Sequence, residues 1–170
     1  MALSLYDASI PQLTKMLANL ETWIDEAVEY AKTRNFDPNV LLEARLAPDQ
    51  FALVKQIQSS ADQAKFCAAR LTGKEPPKHA DTEKTLDELR IRLRAVREYL
   101  GTFKREEFEG AEKREIRLPF LEGKVLSGQN YLFELLMPNF YFHVTTAYAI
   151  LRNNGVALGK MPYLGALTFE

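Results

Sequence analysis

The sequence predicts an all-α protein, a four-helix bundle formed by one domain over residues 1–170. Three observations indicate this fold. Apolar residues recur every three or four positions in four separate segments. Each of these segments is bounded by residues typical of helix ends. The connections are of moderate length, so the apolar stripes of neighbouring helices can be buried against one another. A chain of 170 residues is long enough to form one domain with a proper core.

The first two helices are expected in the amino-terminal half. The first should end near Thr33, before a turn signal at residues 35–38. The second should follow Pro48 and Asp49, because a proline and a carboxylate both favour the first turn of a helix. Gly73 stops it. Its apolar stripe is rich in alanine, which permits close approach of a neighbouring helix. The two stripes are Ile10, Leu13, Leu17, Leu20, Ile24, Ala27 and Val28, then Leu53, Val54, Ile57, Ala61, Ala64, Ala68 and Leu71.

The third and fourth helices are expected after residue 80. Asp81 and Thr82 are good N-caps for the third, and alternation over residues 116–126 indicates a short hairpin or ordered loop after it. The fourth runs over 138–155, with Pro138 either kinking a helical lead-in or occupying a first turn. An apolar tail at 156–167 should lie on the bundle. The stripe of the third helix is Leu86, Leu89, Leu93, Val96, Leu100 and Phe103, and that of the fourth is Phe140, Val144, Ala147 and Leu151.

Composition and charge exclude several classes of partner. The chain has 22 basic and 23 acidic residues, a formal charge of −1, so it has no net attraction for nucleic acid or an anionic membrane. Its apolar runs are too short to span a bilayer, and its beginning lacks the features of a signal peptide. The one cysteine, Cys67, excludes an internal disulfide and fits a reducing compartment. We therefore expect a cytoplasmic protein that binds neither nucleic acid nor membrane. Several of the arginines at 90, 92, 94 and 97 have a carboxylate three or four residues away, at Asp87, Glu88 or Glu98, which predicts a solvated, salt-bridged face.

Several metal sites and nucleophiles are excluded by spacing. A di-iron bundle needs a glutamate three residues before each histidine. Here the residue three positions before His79 is Pro76, and the one three positions before His143 is Phe140. No zincin motif occurs, and Cys67 has no cysteine partner for zinc. We expect Cys67 to be inert, His79 to lie in a loop without a ligand role, and the Asp62–Lys65 pair, three residues apart, to be an ordinary surface ion pair.

Asn139 and His143 are four residues apart, one turn along the last helix. With the Leu-Arg-Asn-Asn-Gly run at 151–155, they resemble the last helix of DinB/YfiT-like proteins, which carries His-x-x-x-His before Leu-Arg-x-x-Gly. Further stretches resemble an uncharacterised branch of that superfamily, a domain-of-unknown-function family. They are residues 45–49, 56–65, 69–73, 138–143 and 159–165. The resemblance implies a bundle with a metal site in which His143 is the second histidine and Asn139 replaces the first. The third ligand would come from helix two near Ser59 or Ser60, and that helix has no histidine.

Three hypotheses about function follow. Because an asparagine amide binds zinc or nickel weakly, we prefer a small-ligand or partner-binding protein with a degenerate metal site and no cofactor beyond a weakly bound divalent metal at His143. The alternatives are a metal-assisted, thiol-dependent transferase or hydrolase that uses His143, and a structural homodimer formed through helix two or the tail. The candidates for a ligand pocket are Asn139, His143, Gln56 and Tyr148, and the catalytic residues are unknown. We also expect a homodimer and a small-molecule ligand as partners.

Overall fold

Four long helices form the bundle, in agreement with the predicted fold. They are α1 (Ile10–Arg34), α2 (Leu53–Thr72), α3 (Leu86–Gly101) and α5 (Met137–Asn153), and two short helices, α4 (Gly128–Asn130) and α6 (Lys160–Leu164), flank α5. The computed structural model describes residues 4–169. Around the core the helices follow the order α1, α3, α2, α5, and α5 returns to α1. Within the described residues, no helix combines the length and the apolar character needed to cross a bilayer.

The ends of α1 and α2 agree with the prediction, whereas the starts of α2 and α3 differ from it. Asn35 caps α1 in the left-handed conformation. The chain around Pro48 forms a turn, and α2 begins only at Leu53, whose N–H donates to the Ala44 carbonyl. The cap of α3 is Thr85 instead of Asp81 or Thr82. Its Oγ1 accepts a hydrogen bond from the N–H of Glu88, and the Glu88 carboxylate accepts one from Thr85. This reciprocal pair outweighs a single polar side chain at the earlier position.

A small hairpin follows α3. Strand β1 (Glu115–Arg117) pairs in antiparallel register with β2 (Val125–Ser127), and Ile116 lies opposite Leu126. Glu122 adopts a left-handed conformation in the connection, which lets the chain reverse. Ile116 is buried and anchors the hairpin on the bundle. The predicted hairpin is therefore confirmed.

The last helical run has three parts. α4 leads into a π-helical turn, Tyr131–Leu136, and this turn continues into α5. Pro138 lies in the first turn of α5 and has no N–H to donate to a carbonyl one turn back. The wider π-turn directly before the proline accommodates this missing donor without ending the helix.

The tail packs on the bundle as expected. Val156 and Leu158 are buried. The indole Nε1 of Trp23 donates to the Pro162 carbonyl at 3.1 Å, and its ring stacks on Tyr163 at a centroid distance of 5.6 Å. These contacts fix α6 against α1.

Candidate functional site

His143 and Gln56 meet between α5 and α2. The Nδ1 atom of His143 lies 2.8 Å from Oε1 of Gln56. Gln56 is fully buried and His143 retains 8% of its exposure. The two residues are far apart in sequence, and only the packing of α2 beside α5 brings them together.

The orientation of the Gln56 amide determines the state of the histidine ring. Its Nε2 donates to the carbonyl of Phe51 at 3.0 Å, so Oε1 is the acceptor that faces His143. The ring must therefore carry its proton on Nδ1. Burial lowers the pKa of His143, and the nearby Lys55 charge lowers it further. The ring is consequently neutral at neutral pH, with an unprotonated Nε2.

The Nε2 atom of His143 is a free acceptor. It has no hydrogen-bond partner in the described part of the chain. The buried side-chain polar atoms that lack a partner there are the Nε atoms of Arg90, Arg92 and Arg97. Nε2 of His143 also lacks a partner but does not belong to this buried group. It is therefore accessible to solvent through the exposed part of the ring. A buried, oriented ring thus presents one acceptor to the outside.

Aromatic and polar residues accompany the His143–Gln56 pair. The Phe142 ring meets the His143 ring edge to face at a centroid distance of 5.3 Å and is 53% exposed. Phe51, whose carbonyl holds Gln56, is 54% exposed. Asn139 lies one turn before His143 and is partly exposed. Lys55 precedes Gln56 and forms an ion pair with a carboxylate of the loop before α3. The His143–Gln56 pair therefore has one exposed aromatic ring packed against it, with other polar and aromatic residues adjacent in the chain.

The remaining predicted positions lie in other surroundings. Tyr148 packs edge to face on Trp23 and Tyr163, and its hydroxyl lies 3.4 Å from the Leu158 carbonyl. It belongs to the aromatic cluster that holds the tail. Ser60 donates to the Gln56 carbonyl inside α2. The residue of α2 that contacts His143 is Gln56, one turn before Ser60.

The sequence and fold match known proteins over almost the whole chain. A family model described as a domain of unknown function (DUF1993) matches residues 5–164. The chain belongs to the DUF1993 family. A crystal structure of a DinB family member protein from Shewanella denitrificans superposes with a TM-score of 0.94 at 46% sequence identity, covering 98% of this chain and 94% of that chain. The resemblance to DinB-like proteins is thus confirmed. A comparison with curated proteins gives no significant match.

The donors of this DUF1993 protein do not fit the metal triad that the DinB-like resemblance implies. No group of three or more His, Cys, Asp or Glu side chains within residues 4–169 could hold a metal ion. The candidate ligands beside His143 are amides: Gln56, whose oxygen already accepts from Nδ1, and Asn139, four residues earlier on α5. Neutral amides are poor ligands for zinc or nickel.

A second polar cluster of the DUF1993 chain was not predicted. Arg92 is buried, and its guanidinium contacts Asp62 at 2.7 Å, Asp81 at 2.6 Å and Glu83 at 2.9 Å. The predicted solvated face is therefore wrong for Arg92. The sequence did contain a signal, because Arg92 falls within the apolar stripe of α3, three residues after Leu89.

Lys65 joins this cluster from α2. Its Nζ lies 2.7 Å from Asp62 and 2.9 Å from Nδ1 of His79, and its side chain is 4% exposed. Since an ammonium only donates, Nδ1 of His79 is an acceptor. Burial lowers the pKa of His79, and the charges of Lys65 and Arg92 add to the effect. The prediction of an ordinary surface pair is wrong, because the pair belongs to a buried network that holds the loop between α2 and α3.

An open cleft of about 760 Å³ lies elsewhere in the protein. It is lined by the amino-terminal segment and the loop after α3, including Leu5, Arg105, Phe108, Glu109 and Phe133. None of the predicted site residues lines it. We place the candidate site at His143, where the polar groups are oriented, and not in this cleft.

Proposed function

We propose that this DUF1993 protein binds a small ligand or a partner segment at His143, in a degenerate metal site. The observation that carries the proposal is the state of one ring. Nδ1 of His143 is held at 2.8 Å by a buried amide, and Nε2 is left without a partner in the described chain. Because this nitrogen is accessible to solvent, a bound molecule can replace the water that hydrogen-bonds to it. A bound hydrogen-bond donor would satisfy the remaining nitrogen.

The orientation of His143 supports a binding role. Both polar atoms of the Gln56 amide have a partner. Its Oε1 accepts from His143, and its Nε2 donates to the Phe51 carbonyl. The ring is therefore held in one tautomer before any ligand arrives, and this preorganisation reduces the entropy lost on binding.

The degenerate character of the site is tested by metal binding to protein purified without a histidine tag. We expect zinc or nickel well below one ion per chain after equilibrium dialysis. In the Asn139→His variant a second imidazole stands one turn before His143, and we expect affinity for nickel to rise at least about tenfold. Asn153→His is the matched control, because it adds a histidine to the same helix without a partner one turn away. Stoichiometric metal in the unmodified protein would overturn the proposal.

Ligand binding is tested by the ring signals of the two histidines in NMR spectra. We expect small molecules with a hydrogen-bond donor to shift the signals of His143 and to leave those of His79 in place. The His143→Gln variant should lose this binding. Ligands that bind equally well to this variant would contradict the proposed site.

A second candidate function is a metal-assisted, thiol-dependent transferase or hydrolase. The observation that favours it is the hydrogen bond from Nδ1 to Gln56, since metal-ligating histidines donate their other ring N–H in the same way. We would measure the turnover of a thiol with an electrophile in the presence of zinc or nickel. Turnover that does not depend on His143 would exclude this candidate.

Homodimer formation remains a further proposal. The alanine-rich stripe of α2 is enclosed by the chain itself, since Ala61, Ala64 and Ala68 are fully buried. A second copy would have to use other surface, and the tail offers Met161 and Phe169 as exposed apolar side chains. Light scattering over a range of concentrations tests this. A monomer at high concentration would contradict it.

A further inference from the structure

The open cleft between the amino-terminal segment and the loop after α3 is separate from the site at His143. Its volume is about 760 Å³, and pockets for small organic molecules occupy roughly 300–1,000 Å³. Neither His143 nor Gln56 lines it. A ligand of this cleft would therefore be recognised by a different set of groups.

Part of the cleft wall is apolar. Phe108 is 2% exposed and packs edge to face on Tyr6 at a centroid distance of 5.4 Å, so this part of the wall belongs to the core. Phe133 lies in the π-helical turn before α5, lines the cleft and is 51% exposed. Leu5 adds an aliphatic side chain from the amino-terminal segment. Because ligand pockets are lined mainly by aromatic and aliphatic side chains, this wall can cover the apolar body of a ligand.

The charged side chains of the cleft are mostly acidic. Three exposed glutamates line it, and we call them the cleft glutamates: Glu106, Glu109 and Glu112. None of the three forms an ion pair within residues 4–169. The one cation that lines the cleft is Arg105, and its guanidinium lies 2.7 Å from the Asp7 carboxylate. The charge of the arginine is thus matched by the protein itself, whereas the cleft glutamates attract a cation and disfavour an anion.

We propose that this cleft binds a small organic cation with an apolar body, such as an amine that carries an aromatic or aliphatic chain. The ammonium lies among the cleft glutamates, and the apolar chain contacts Phe133 and Leu5. This inference goes beyond the proposed function, because it uses none of the groups at His143.

Three compounds of nearly the same shape test the charge. Phenylbutylamine is a cation, phenylbutanol is neutral and phenylbutyrate is an anion. We would titrate each into the full chain at low ionic strength and follow the backbone amide signal of Gly110, which lines the cleft, by NMR. Phenylbutylamine should bind at least about fivefold more tightly than phenylbutanol, and phenylbutyrate should bind more weakly than either. Salt at about 0.5 M should remove most of this preference, since exposed charges are screened.

Replacing all three cleft glutamates with glutamine assigns the preference to the cleft. This triple variant should bind phenylbutylamine no more than about twofold more tightly than phenylbutanol. The matched control carries the same change at three exposed glutamates that do not line the cleft, Glu26, Glu43 and Glu75. It has the same net charge as the first variant and should keep the preference. Thermal unfolding verifies that both variants fold.

A pair of phenylalanine variants assigns the apolar contact. Phe133→Ala should weaken the binding of phenylbutylamine at least about threefold, because it removes apolar surface that the ligand covers. Phe120→Ala is the control, since Phe120 is 67% exposed and does not line the cleft. It should leave the affinity unchanged.

The His143→Gln variant separates this inference from the proposed function. Phenylbutylamine should shift the Gly110 signal in this variant as it does in the unmodified protein. Loss of that shift would mean that the amine acts through His143, and it would overturn the inference. Equal binding of the amine and the alcohol, or a preference that survives loss of the cleft glutamates, would overturn the cationic class. A Gly110 signal that none of the three compounds moves would show that the cleft takes no ligand of this kind, while binding at His143 would stand.

Discussion

At the scale of single residues, Gln56 determines the chemistry of the candidate site. Its side chain is fully buried, and its amide joins the His143 ring to the Phe51 carbonyl. Only a side chain with an acceptor and a donor at the same end can make both contacts. A glutamine in the apolar interior of a bundle is otherwise unfavourable. Its presence there is explained by the histidine that it orients.

Replacing Gln56 with leucine should therefore destabilise the protein. The Nδ1–H of His143 and the Phe51 carbonyl would both lose their partner, and a buried polar group without a hydrogen bond costs about 1–3 kcal/mol. Urea unfolding measures the change. Gln63→Leu is the matched control, since Gln63 lies on the same helix, is partly exposed and has no side-chain hydrogen bond within residues 4–169. Equal stability of the two variants would show that the Gln56 contacts contribute nothing.

The two histidines should make stability depend on pH. The pKa of each is lowered in the folded protein, whereas an unfolded histidine has a pKa of about 6.5. Between these values the unfolded chain binds more protons, so the free energy of unfolding falls as pH drops below about 6.5. It levels off once the folded histidines are protonated.

Urea unfolding at about pH 7.5 and about pH 5.5 measures this loss. His143→Gln and His79→Gln should each reduce the difference between the two pH values, and the double variant should reduce it most. A difference that persists unchanged in the double variant would assign the pH dependence to other groups.

At the scale of elements, Gly128 explains how α4 approaches the loop after α3. A Cβ atom at Gly128 would lie 1.9 Å from the carbonyl oxygen of Ala111 and 3.2 Å from the Leu71 side chain. The backbone of α4 therefore touches another backbone segment, and no larger residue fits without movement of the chain.

Gly128→Ala should lower the free energy of unfolding by at least about 1–3 kcal/mol, because overpacking forces the backbone to shift. Gly101→Ala is the control. Gly101 ends α3, and a Cβ there meets nothing within 4 Å. That variant should be unchanged or up to about 1 kcal/mol more stable, since alanine favours helix. Thermal unfolding of both variants distinguishes a steric effect from a general one.

The helices were predictable from sequence because their stripes are long and regular. The first residue of each helix was harder to predict, because several polar residues near it could serve as the N-cap. The sequence offers Asp81, Thr82 and Thr85 before α3, and the choice depends on the reciprocal bond of Thr85 with Glu88 and on the ion pairs that hold Asp81 elsewhere. Those ion pairs join segments distant in the chain, and no local pattern contains them.

At the scale of the whole molecule, Arg92 connects α2, α3 and the loop between them through three carboxylates. The spacing of Asp62 and Lys65 indicated that they could pair, but it gave no information on how deeply the pair is buried. The contact of His143 with Gln56 was also beyond prediction, although both residues were candidates, because it depends on the register of α5 against α2.

Arg92→Met should therefore destabilise the whole fold. Removing one partner of a buried ion cluster leaves uncompensated charges and costs about 3–5 kcal/mol. Arg117→Met is the control, because Arg117 pairs with Glu115 in an exposed setting, and its loss should cost less than about 1 kcal/mol. Urea unfolding compares the two. Similar costs would indicate that the Arg92 cluster is no more important than a surface pair.

The contact of Trp23 with the tail determines what the tryptophan fluorescence of this protein reports. Trp23 is the single tryptophan of the chain, and its indole is fully buried under Pro162 and Tyr163. Its fluorescence therefore reports the release of α6 as well as global unfolding. If the tail opens first, as weakly held terminal segments do, fluorescence will change at a lower denaturant concentration than circular dichroism. Such a gap between the two signals would be the signature of local tail release, not of an intermediate in the folding of the bundle.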